Sequence, residues 1–148
     1  MTVALSATST IRQNFWGQIM REIKFRGLDQ YDKWRYGDLT HVSCNGRGIL
    51  FIADNKQHTY VKVRTETVGQ YTGLRDAEGH EIYEGDIVKT YNGSISVVIW
   101  DDATHGWREM ANGIKCRFAP GELAKAYTVV GNIHDNPELL EAAYDQGD

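Results

Sequence analysis

The sequence predicts a mainly β domain, a small barrel of Src-homology-3-like type with additional hairpins, an N-terminal arm or helix and a short C-terminal helix. Three observations lead there. From Met20 onward, short runs alternate apolar and polar residues with period two. Turn-forming pairs rich in Asn and Gly separate the runs at short intervals. Helical spacing is confined to the two ends, so no β-α-β alternation builds a parallel sheet.

The elements follow in order. Residues 1–19 read as an N-terminal arm or short helix, in which Ile11, Phe15 and Ile19 recur every fourth residue with Trp16 alongside. A helix this short needs something to lie on, so its apolar stripe is a candidate oligomer contact. Residues 20–148 read as one β domain. "MREIKFRG" sets Ile23 and Phe25 against Glu22, Lys24 and Arg26, the pattern of a half-buried strand with the charges outward. "KWRYGDLTHVSC" and "ILFIAD" form a hairpin through Asn45-Gly46, and "TYVKVRT" is a further strand. "DAEG" is a turn in which Gly79 takes a positive φ, and Gly85 marks a bend where crowding disfavours a branched side chain. "DIVKT" and "ISVVIW" flank the Asn92-Gly93 turn, with Ile95, Val97 and Ile99 sharing one face. "KCRFAPG" and "AYTVVGNI" are the last strands. Asn136 caps a closing helix and Pro137 occupies its first position.

Bulk properties narrow the function. With 148 residues the chain can bury a core as one domain. Its formal net charge of -4 disfavours nucleic acid, which attracts a basic footprint. Arg21, Lys24, Arg26, Lys33 and Arg35 alternate with Glu22, Asp29, Asp32 and Asp38, which reads as a solvated face. Two cysteines are too few for a disulfide scaffold, and no apolar run approaches the ~20 residues that span a bilayer. The expectation is a cytoplasmic protein without a membrane span.

"MREIKFRG", "VGQYTGLRDAEGHEIYEGDIVK" and "VVGNIHDNPELLE" resemble, in that order, the start, centre and end of the YopX family of phage and prophage proteins. The resemblance covers roughly residues 20–141. The segment before Met20 departs from it, because "MREIKF" is the usual family start. The resemblance implies a small, mostly β, phage-encoded protein of the host cytoplasm that self-associates. It implies no catalytic residues.

Asp101, Asp102, His105 and Glu109 offer metal-type or acid-base ligands, yet without diagnostic spacing. The alternative is a polar loop with Trp100 and Trp107 packed at its ends. His41 and Cys44 face opposite sides of a strand and, with Cys116, lack the paired ligands of a zinc site; a strand cysteine is more often a small buried hydrophobe. Glu84 and Asp86 are expected to be solvated, tolerating alanine within about 0.5 kcal/mol. Tyr71, Tyr83, Tyr91, Trp100 and Trp107 lie near turns, where small barrels hold ligands in aromatic grooves. The candidate binding residues are therefore Tyr71, Tyr83, Glu84, Asp86, Trp100, Asp101, Asp102, His105 and Trp107. No metal, cofactor or catalytic residue is expected. The leading reading is a non-enzymatic protein that binds a host or phage protein and forms homo-oligomers. The alternatives are a nucleic-acid-binding regulator, and a small-ligand-binding protein or enzyme using the 101–107 loop.

Overall fold

The computed structural model describes residues 21–54, 56–118 and 125–144. Their strands are β1 (Phe25–Leu28), β2 (Trp34–Cys44), β3 (Arg47–Asp54), β4 (Thr59–Val63), β5 (Gly69–Arg75), β6 (Glu81–Tyr83), β7 (Asp86–Thr90), β8 (Ile95–Asp101), β9 (Gly106–Ala111), β10 (Ile114–Arg117) and β11 (Tyr127–Asn132). Helix α1 (Glu138–Tyr144) packs near β8. The stripe of Ile11, Phe15, Trp16 and Ile19 lies outside the described residues. No helix among those described is long and apolar enough to cross a membrane.

All pairings are antiparallel. One sheet has six strands in the order β4-β3-β2-β1-β5-β6, and the other has five, β10-β9-β8-β7-β11. The barrel expectation is corrected to two open sheets. The reason lies in the "IYEGDIV" stretch. Strand β6 ends at Tyr83, and the chain leaves the first sheet at Gly85 to begin the second at Asp86. Gly85 adopts φ +85°, donates its N–H to Val98 O and accepts from Ile133 N–H, so it is stapled to β8 and to the segment after β11. A Cβ there would meet Ile133 only at ordinary contact distance, so the left-handed backbone, not crowding, calls for glycine.

Turn chemistry fits the sequence closely. Asn45-Gly46 and Asn112-Gly113 both place two successive residues at positive φ, which matches the twist of a two-residue hairpin. Gly79 has φ +87° as expected. The cap is corrected. The Asn136 side-chain oxygen turns back to accept the Asn132 N–H at 3.3 Å, and the helix starts at Glu138.

Burial of apolar side chains drives the packing. Ile82, Val88, Val98, Phe118 and Tyr127 form a buried cluster, against which Leu74, Trp107 and Val129 pack. Ile52, Val63 and Leu28 are buried in the first sheet. On β8, Ile95, Val97 and Ile99 share one face as expected, half-buried, while Ser96 and Val98 are buried on the opposite face. On β1 the expectation is inverted. Ile23 precedes the strand and is exposed, while Arg26 points inward with only 6% of its surface accessible. The cysteines also differ from expectation, since Cys44 and Cys116 are both exposed.

Candidate functional site

Arg26 organises a cleft between the two sheets. Its guanidinium lies between the rings of Trp34 on β2 and Tyr83 on β6, 4.6 and 4.9 Å from their centroids. Such stacking suits the flat, weakly hydrated guanidinium. Its Nη2 stands 2.7 Å from Asp86 Oδ1 and donates to Glu84 O at 3.3 Å. The Asp86 contact is ionic without a directed hydrogen bond: Asp86 Oδ1 has no donor and Arg26 Nε no acceptor among the described residues. Asp86 Oδ2 accepts the Tyr83 N–H at 2.8 Å. Arg26 on β1 and Asp86 on β7 thus clamp one sheet to the other.

Around this clamp the cleft encloses about 420 Å³. Its walls come from Tyr36, Tyr83, Arg75 and His80 on one side, and from Val129 and Asn132 of β11 on the other. Tyr36 packs edge-on against Tyr83, with centroids 5.6 Å apart, and keeps 39% of its surface exposed at the mouth. The Tyr83 hydroxyl donates to Glu81 Oε2 at 2.6 Å, while Glu81 Oε1 accepts from Lys24 at 2.6 Å and from Arg75 at 3.2 Å. Tyr71 lies 5.5 Å from Tyr83, centroid to centroid, under the Lys24 ammonium. Beside the cleft, Asp135 accepts the Trp34 indole N–H at 2.7 Å and the Asn132 amide at 3.0 Å.

The electrostatics bear on chemistry. Burial pushes the Asp86 carboxyl up, against the pull of the Arg26 charge. Burial also pushes up Tyr36, Tyr71 and Tyr83, the last further through its bond to Glu81, so these phenols stay protonated at neutral pH. Burial would raise Glu81, but its bonds from Lys24 and Tyr83 outweigh that and hold it down. The cleft therefore presents hydrogen-bond donors and aromatic faces. Its carboxylates are engaged by cations and hydroxyls.

Of the residues singled out from sequence, Tyr71, Tyr83 and Asp86 meet here. Glu84 contributes its carbonyl to Arg26, and burial followed by the nearby Asp102 charge raises its carboxyl. Asp86 is corrected. It is 1% exposed and paired, not solvated. The mixed early charges are corrected likewise, since Arg35 joins buried Asp29 and Asp54 at 2.8 and 3.5 Å, and only part of that set faces solvent. The remaining candidates belong to the β8–β9 hairpin. Trp100 pairs with Trp107 across the strands, their rings T-shaped at 5.1 Å, as packing at the ends of a polar loop requires. The loop is shorter than expected because β9 begins at Gly106. Asp101 binds Lys115 at 2.8 Å and the Thr104 hydroxyl at 2.7 Å, which hold its carboxyl down to about 2. Asp102 accepts the Trp100 indole N–H, and His105 adopts a left-handed turn conformation with φ +50°. These contacts are made within the β8–β9–β10 strands and their turns.

Three further aspartates lead turns by accepting backbone amides. Asp29 accepts from Tyr31 and Lys33, Asp54 from Lys56 and Gln57, and Asp76 from Glu78, His80 and Val129. For each, burial alone would raise the carboxyl, but these bonds outweigh it and the net direction is down. Asp135 is lowered chiefly by the Trp34 bond. A carboxylate held down in the folded state adds stability above its unfolded value and loses it as pH falls through the folded one. Asp29, Asp54, Asp76, Glu81, Asp101 and Asp135 all act in this sense; Glu84 and Asp86, being raised, oppose it. The expected result is a urea midpoint that declines from about pH 5 toward pH 2. A midpoint rising over that window would contradict the balance.

Arg26, Trp34, Tyr36, Arg75 and His80 were not among the sequence candidates. The available signal was a charged residue at an alternating strand position, and that normally marks the solvent face.

The fold and cleft define a two-sheet β protein with a donor-rich aromatic site. Residues 24–141 match the family described as YopX protein, and the chain belongs to that family. No curated protein matches it. Among solved structures it is similar to protein EF1440 from Enterococcus faecalis, at 24% identity with a TM-score of 0.49, over 82% of this chain and 99% of that one.

Proposed function

We propose that this is a non-enzymatic, phage- or prophage-encoded protein that works in the host cytoplasm by binding a host or phage protein through the Arg26 cleft. One observation carries the reading: Tyr36 is half-exposed at the mouth, over a floor where Arg26 is locked between two rings and neutralised by Asp86. Exposed Tyr and Arg beside a pre-ordered floor are what protein hot spots use, because little side-chain entropy remains to be lost on binding. The protonated phenols and engaged carboxylates favour recognition over proton transfer. Self-association through the N-terminal stripe belongs to the same proposal.

Capture from host cells tests it, using the wild-type protein and a Tyr36→Ala/Arg75→Ala variant altered at the cleft mouth. The expected result is a protein partner retained by the wild type and lost by the variant, with both chains melting alike. Retention of the same partner by the variant would remove the cleft from the account. Recovery of nucleic acid in place of protein would favour the regulatory alternative.

A further inference from the structure

Net charge conceals a division along the chain. Residues 21–64 carry nine Lys and Arg against five Asp and Glu, a net of +4, whereas residues 65–148 carry six against fifteen, a net of -9. Strands β2, β3 and β4 themselves carry Arg35, Arg47 and Lys62 against Asp38 and Asp54, and exposed Asp38 stands across from Ala53, away from the Arg47 end. Strand alternation and register settle how their side chains are shared between faces. Ile52 and Val63, buried at 0% and 3%, mark the inner face. On the outer face, Val42 pairs across from Ile49, Phe51 across from Lys62, and Ala53 across from Tyr60. Tyr60 is 69% and Val42 43% exposed, so this apolar stripe is uncovered by the described residues.

Two cations flank the stripe. Arg47 shares the outer face with Ile49 and Phe51, and Lys62 stands beside Phe51. Neither forms an ion pair among the described residues, unlike Arg35 with Asp29 and Asp54 or Arg64 with Asp32. Strand β4 turns away after Val63, leaving the Arg47–Ile49 end of β3 without a partner on that side. A groove of about 590 Å³ opens at this step, lined by Arg47, Ile49 and Lys62 among others, and no carboxylate lines it. Arg47 and Phe51 are four strand positions apart, so the two cations are separated by about 13 Å along the strand.

We infer that this outer face docks an acidic, extended polypeptide segment of a partner protein, with two carboxylates four residues apart and an apolar residue between them. Charge complementarity selects acid, because the groove holds two uncompensated cations and no anion. The apolar floor selects a peptide over a nucleic-acid backbone, which would leave Val42, Ile49 and Phe51 facing a phosphate chain. A second copy docking by the same face would bring like charges together. The face continues along β2 toward Tyr36, but the groove and the Arg26 cleft share no lining residue, so either site can fail its test without the other.

Fluorescence anisotropy on the full chain tests it, with a labelled Gly-Glu-Thr-Leu-Thr-Glu-Gly peptide as probe. Its Gln-for-Glu counterpart and a twenty-nucleotide thymidine strand serve as comparisons. Saturable, salt-sensitive binding of the Glu peptide is expected, weakened about tenfold or more by Arg47→Glu/Lys62→Glu. A Lys89→Glu/Arg117→Glu variant, with the same change of charge on the other sheet, should bind as the wild type does. No binding, equal binding of the Gln peptide, tighter binding of the oligonucleotide, or equal loss in both variants would each overturn the inference.

Discussion

Asp86→Ala should lower stability by about 3–5 kcal/mol, since removing one partner of a buried pair strands the other charge. Arg26 would keep its place between Trp34 and Tyr83 with no carboxylate beside it, and the Tyr83 N–H would lose its acceptor. For a chain of this size that corresponds to a drop of about 10 °C or more in Tm. Asp86→Asn separates the two losses, because it can still accept the Tyr83 N–H but carries no charge. Asp102→Ala, on the exposed turn of the β8–β9 hairpin, should change stability by no more than about 0.5 kcal/mol. Thermal unfolding by circular dichroism compares the three. Equal melts for Asp86→Ala and Asp102→Ala would mean that the clamp between the sheets contributes nothing.

Gly37→Ala should be nearly as damaging. Gly37 sits in mid-β2, opposite both Phe25 on β1 and Asp54 on β3. A Cβ there would overlap the Ala53 carbonyl, 2.9 Å from its carbon and closer still to its oxygen. Backbone on a neighbouring strand cannot rotate aside as a side chain can. The β2–β3 ladder must therefore part or bend, at about 3 kcal/mol. Urea unfolding measures the loss, and a midpoint equal to wild type would show that the ladder shifts freely.

These two sites show where sequence reading succeeds and where it stops. Turns were legible because their requirement is local: Asn45-Gly46, Gly79 and Gly85 have the positive φ values that their residue types accommodate. Strands β2, β3 and β8 were legible from their length and β-branched content. Tyr83 and Asp86 stood among the candidate binding residues, Asp86 as a solvated group. The inward turn of Arg26 was illegible, because its alternation with Ile23 and Phe25 is what an amphipathic strand with outward charges shows. Its compensating groups lie on β2, β6 and β7, and no local pattern announces a pairing across two sheets. Gly37 was equally silent, since its need for a missing side chain comes from the neighbouring β3. Strand β9 was missed because its polar residues, Arg108 and Glu109, follow a turn without Gly-Asn chemistry at its start.

Chemical-shift mapping by NMR tests the cleft most directly, with the captured partner titrated into labelled protein. Recognition through the cleft predicts that the largest perturbations fall on Tyr36, Arg75, His80 and Tyr83, with the Arg26 side-chain Nε resonance shifting alongside them. Perturbations absent from these five residues and concentrated on the β8–β9 hairpin would contradict it.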